Sequence, residues 1–109
     1  MPLAPLSGQF VGVGRADTFG PGGHFLKVEG RHVALFRLDD GFHALDNLCL
    51  HQAGPLCEGD IDAHGEVTCP WHGWSYDIRT GRQAQDPKNG VTRHDVRVVD
   101  GDVQVRMNP

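Results

Sequence analysis

The sequence predicts an all-β fold: a β scaffold made from both ends of the chain, carrying a loop-rich insert in the middle. Three observations support it. No stretch of helical length keeps apolar residues at i, i+3, i+4 and i+7, so the period of a packed helix is missing. Asp100-Gly101 stands between Asp95–Val99 and Asp102–Met107, and an Asp-Gly pair suits a hairpin turn that needs positive φ. In that hairpin Val96, Val98, Val103 and Val105 alternate with polar residues, which gives one buried face. Finally, 15 Gly and 7 Pro in 109 residues, with no collagen-like period, imply many turns between short strands.

Taken in order, Phe10–Val13 is the first strand, followed by the turn-rich segment TFGPGGH. Phe25–Val28 and His32–Leu38 form a hairpin connected by Glu29-Gly30-Arg31. Asp39-Asp40-Gly41 turns the chain into Phe42–Asn47. Between Asn47 and Lys88 only Glu66–Thr68 and Ser75–Ile78 look extended. The chain therefore reads as one domain over 1–109, with a base from 1–46 and 83–109 and an insert at about 47–82.

At 11.9 kDa there is room for one modest core. A net charge of −4 argues against a nucleic-acid footprint, which needs a basic face. The N-terminal MPLAPLSGQFVGVGR has no basic n-region, and no apolar run approaches the roughly 20 residues of a membrane span. The expectation is a soluble cytoplasmic protein with no nucleic-acid or membrane partner. Three Cys is an odd number, against a closed disulfide framework.

The chemistry is concentrated in CLHQAGPLCEGDIDAHGEVTCPWH, from Cys49 to His72. A C-x-H pair (Cys49, His51) and a C-x-x-H pair (Cys69, His72) stand 17 residues apart. Zinc is one reading of four Cys and His residues, but zinc knuckles commonly pair Cys with Cys and His with His at wider spacing. Two mixed pairs suit a binuclear iron–sulfur centre with one His-ligated iron.

The segments CLH and CPWHGWSYD resemble the Rieske family, whose pattern is C-x-H, a gap of about this length, then C-P-x-H-G. The resemblance implies an antiparallel sheet sandwich with a loop-rich cluster-binding subdomain, and one [2Fe–2S] cluster with Cys49 and Cys69 on one iron and His51 and His72 on the other. Two ferric ions, two sulfides, two thiolates and two neutral imidazoles sum to zero, so such a centre accepts an electron more readily than an all-Cys one. Family potentials accordingly run from roughly −150 to +300 mV, against about −400 mV for plant-type clusters. High-potential members cross-link the two loops through an extra Cys in each, where this chain has Gly54 and Trp71, and carry a Ser where it has Trp74. Tyr76 alone keeps a hydroxyl that the family aims at a ligand thiolate, so the low end of the window is expected.

The resemblance also matches Pro87, in QDPKNG, to a third loop covering the cluster, and gives Gly54, Gly73 and Gly81 to tight turns. Trp71 and Trp74 shield the centre or fill the core, and the sequence does not separate these. Cys57 reads as a structural thiol, Asp77 as a turn-former, and His24, His32, His43, His64 and His94 as surface or turn residues. No residue reads as catalytic.

What the resemblance implies is a one-electron carrier rather than an enzyme, linking a flavoprotein NAD(P)H reductase to a terminal oxygenase. The alternative is the small Rieske subunit of an assimilatory nitrite reductase or other redox enzyme. A complete Rieske oxygenase needs a further mononuclear iron domain, for which the 37 residues after His72 leave no place, and nothing supports a regulatory sensor. Leu50, Gln52, Ala53, Pro70 and Trp71 flank the four donors in sequence and form the expected docking patch.

Overall fold

A computed structural model describes residues 5–47, 55–71 and 73–109. Among them there is no α-helix; two short 3-10 turns, Ala16–Thr18 and Leu56–Glu58, interrupt an antiparallel β structure. Nine strands are formed: β1 (Phe10–Arg15), β2 (Gly22–Val28), β3 (Arg31–Leu38), β4 (Gly41–Asp46), β5 (Asp60–Ile61), β6 (Glu66–Thr68), β7 (Ser75–Asp77), β8 (Arg93–Val99) and β9 (Asp102–Arg106). Six make one sheet in the order β1-β9-β8-β4-β3-β2, and β5-β6-β7 make a second. Among the described residues no helix is long and apolar enough to cross a membrane.

The hairpin turns follow local chemistry. Asp100 and Gly101 have φ of 51° and 79°, and Glu29 and Gly30 have 50° and 80°, the paired positive values of a two-residue turn whose twist matches its strands. Arg31 therefore belongs to β3, paired with Val28, rather than to the connection. The outer β8–β9 face is laced by Asp95–Arg106, and Phe10 of β1 lies under the guanidiniums of Arg97 and Arg106 at 4.0 and 4.9 Å.

β3 divides the interior. Val33, Ala34, Leu35 and Phe36 are all fully buried, and alternation sends them to two different cores. Val33 and Leu35 join Val28, Ala44, Val103, Val105 and Met107 inside the curl of the large sheet. Ala34 and Phe36 join Leu45, Leu56, Val67, Cys69, Tyr76 and Ile78 between the large sheet and the small one. β4 does the same with its two buried residues, Ala44 and Leu45.

The structure revises some strand limits. β1 extends to Arg15, its pairing with β9 slipping between Gly12 and Gly14, a bulge that lengthens and bends the strand. β2 begins at Gly22, inside the segment expected to be a turn, because Gly22, Gly23 and His24 pair with Arg37, Phe36 and Leu35 of β3. β5, only two residues long, had no sequence signal. Val98 pairs with Val103 but is 47 % exposed, since the end of the hairpin projects past the core that buries its partner.

A polar strap ties the small sheet to the β3–β4 turn. Arg79 Nε donates to Asp40 Oδ2 at 2.8 Å, and His43 Nε2 lies 2.9 Å from Asp40 Oδ1. The Arg79 and His43 bonds hold the Asp40 carboxyl at about 2, from 3.8. A depressed carboxyl stabilises the fold above its unfolded pKa and ceases to as pH falls through the folded one. In thermal melts Asp40→Asn should therefore show a slightly lower Tm than wild type above pH 4, and the difference should close as pH falls from 3.8 toward about 2. Phe36→Ala should cost about 3–5 kcal/mol in denaturant unfolding, because it empties the core that both sheets share.

Candidate metal centre

Two loops expected to carry the donors leave the structure at β4 and β6. Of the four residues assigned to the cluster, the described structure contains Cys69; Cys49, His51 and His72 lie outside the described residues, as do Leu50, Gln52, Ala53 and Gly54. Among the described residues no three His, Cys, Asp or Glu side chains gather as a metal site.

The second loop follows from β6 and β7. Val67 pairs with Tyr76 and Thr68 with Ser75, and the ladder continues as Cys69 N–H donates to Trp74 C=O at 2.7 Å. Gly73 N–H then donates to Cys69 C=O at 3.1 Å, with φ of 71° at Gly73. The result is a closed turn over 69–74. Strand alternation puts Cys69 on the same side as Val67, so its side chain is buried against the inter-sheet core. A buried thiol at the root of a closed turn fits a thiolate donor shielded from water.

The structure separates the two tryptophans. Trp74 packs against the inter-sheet core, whereas Trp71 is 58 % exposed beside exposed Pro70. Tyr76 is fully buried in that core, one residue from Ser75, whose Oγ lies 3.0 Å from Thr68 Oγ1 on the opposite face of the strand pair.

The first loop is described at its two ends. Asn47, following β4, is buried, and its C=O accepts from Leu56 N–H at 2.6 Å. Its Oδ1 accepts from Cys57 N–H at 2.9 Å. Cys57 sits in the 3-10 turn, half-buried against the inter-sheet core. Partial burial, reinforced by neighbouring Glu58, pushes its thiol pKa up, and the side chain packs against the core as expected of a structural thiol. Gly23 of β2 lies against this turn, where a Cβ would overlap the Cys57 carbonyl oxygen.

The third loop runs back along β7. Ala84 N–H donates to Ser75 C=O and Ser75 N–H donates to Gln85 Oε1. Asp86 caps the next turn by accepting from Lys88 N–H and Asn89 Nδ2, and Pro87 is exposed with its carbonyl held by Arg82. Asp77 is a turn residue, as expected: its carboxylate accepts from Arg79 N–H and its carbonyl from Gly81 N–H.

One histidine departs from expectation. His94, read as a surface or turn residue, is buried in β8, its Nε2 2.7 Å from Asp46 Oδ1 and its Nδ1 accepting from Asn108 N–H at 3.0 Å. Its two partners are distant in sequence, so nothing local announced them. Asn47 was likewise missed as a site residue; an amide directly before the C-x-H loop was the available signal.

A curled antiparallel base with a small second sheet whose turn roots a buried thiol defines a cofactor-presenting β domain. The model of the Rieske [2Fe-2S] domain matches residues 9–100, and the chain belongs to that family. It is 35 % identical over 97 residues to the anthranilate 1,2-dioxygenase ferredoxin subunit of Burkholderia cepacia, covering 87 % of this chain and 89 % of the relative. The ferredoxin of carbazole 1,9a-dioxygenase from Nocardioides aromaticivorans IC177 superposes with TM-score 0.83 at 31 % identity, covering 91 % of this chain and 98 % of that one. A structure described as the small subunit of an NADH-dependent nitrite reductase from Mycobacterium tuberculosis superposes with TM-score 0.84 at 28 % identity, covering 93 % and 96 %.

Proposed function

We propose that this chain is a one-electron carrier: a ferredoxin that binds one [2Fe–2S] cluster through Cys49, Cys69, His51 and His72. The carrying observation is the family match over residues 9–100, which includes both motifs whole, with Cys69 buried at the root of its turn. When bound, the cluster supplies reversible one-electron storage and transfer. The protein's part is to hold thiolates from Cys49 and Cys69 and imidazoles from His51 and His72, and to keep water from the sulfur side with the inter-sheet core.

In this reading the electron enters from a flavoprotein NAD(P)H reductase and leaves to a terminal oxygenase, in the cytoplasm. The names of the relatives, ferredoxin components of two dioxygenases, support the oxygenase as acceptor. Trp71 and Pro70, both exposed and adjacent in sequence to His72, belong to the face that meets partners. Such encounters are small and short-lived. The organisation is a base from 1–46 and 83–109 carrying an insert at about 47–82, and Pro87 belongs to the loop that covers the cluster. A second reading, small subunit of a nitrite reductase, is favoured by the likeness to the Mycobacterium tuberculosis structure. Activity reconstituted with an oxygenase and its reductase decides for the first; activity only with a sirohaem reductase decides for the second.

Dithionite-reduced protein should give the EPR spectrum of a His-ligated [2Fe–2S] centre, and colourless protein containing one zinc and no iron would refute the assignment. Cys69→Ala should lose the visible absorbance together with its iron. With neither the cross-link nor the Ser hydroxyl, the midpoint potential by film voltammetry should lie at the low end of the roughly −150 to +300 mV window. Tyr76→Phe should lower it modestly.

A further inference from the structure

We infer that Asn47 is the positioning residue of the first donor loop: it ties the end of β4 to the 3-10 turn Leu56–Glu58, the two described elements between which Cys49 and His51 lie in sequence. The inference rests on the ligand assignment proposed above.

Asn47 is only 3 % exposed, which is unusual for an amide side chain unless its polar atoms are used. Its backbone N–H donates to His32 C=O at 3.1 Å, fixing the residue to β3. Its C=O and its Oδ1 then accept from consecutive amides on the far side of the loop, Leu56 at 2.6 Å and Cys57 at 2.9 Å. One residue thus ties the strand to the 3-10 turn with two bonds to consecutive amides.

Two further contacts brace the closure. Leu56 is fully buried in the same core as Cys69, so the anchor of the first loop and the donor of the second are set by one packed cluster. From the other side, β2 brings Gly23 against the Cys57 carbonyl with no room for a Cβ, which confines the 3-10 turn toward Asn47. The separation of the two donor loops is in this way a property of the core, and Asn47 transmits it to the first loop.

The test uses purified holoprotein, with hydrogen exchange and EPR measured on the same samples of wild type, Asn47→Ala, Gly23→Ala and Val105→Ala. Removing the Oδ1 acceptor leaves a Cys57 amide unpaired, and exchange at Leu56 and Cys57 should quicken by roughly tenfold. Gly23→Ala attacks the same closure from another strand and should act in the same direction. Both should shift or broaden the g-values of the reduced protein and speed loss of visible absorbance to a chelator. Val105→Ala, which empties the other core, should lower Tm while leaving the exchange of those two amides and the EPR spectrum as in wild type.

Wild-type exchange at Leu56 and Cys57 in Asn47→Ala would overturn the inference. So would faster exchange with an unaltered EPR spectrum, which would make Asn47 structural only. Wild-type protein without iron or EPR signal would remove the ligand assignment instead, and with it the positioning role, while exchange would still decide whether the closure exists.

Discussion

β3 must be buried on both faces, and most of the architecture follows from that demand. A strand carrying Val33, Ala34, Leu35 and Phe36 in succession exposes apolar surface above and below whichever way it is turned. The large sheet answers on one side by curling, so that Val103, Val105 and Met107 come round to meet Val33 and Leu35. It cannot cover the other side by itself. That side is closed by the small sheet, through Val67, Tyr76 and Ile78, and by Leu56 at the exit of the first loop. The small sheet is therefore also the cover of a core, and Cys69, one of the proposed donors, is among the side chains filling it.

Double use of this kind fixes the roots of the loops in which the proposed donors lie. Each loop is closed at its root by backbone bonds: Asn47 to Leu56 in the first, Cys69 to Trp74 in the second. The third, from Gln83 to Gly90, is sewn to β7 and to itself through Gln85, Asp86 and Arg82. An electron carrier benefits from a centre whose surroundings change little between oxidation states, and roots fixed in a packed core provide that.

How much of this the sequence disclosed depends on the range of the interactions involved. The β8–β9 hairpin was legible because Asp100-Gly101 and the valine alternation are local signals. The four candidate donors were proposed from their spacing and the family resemblance; of them the described residues include Cys69, buried in the inter-sheet core. The start of β2 was not, since glycines read as turn formers and only the pairing with β3 and the close approach of Cys57 explain them. His94 was misplaced for the same reason: Asp46 and Asn108 bury it, and neither is near it in sequence. The apolar run in β3 was visible, yet its doubled role becomes evident only when the small sheet is seen to pack there.

β1 and β9 are neighbours, with Phe10 opposite Arg106. Strands so far apart along the chain close a long loop, a slow step in folding. On the ribosome, β1 can find its mate only once synthesis has passed residue 106. The large sheet is thus completed last, when its earliest strand is zipped to its latest.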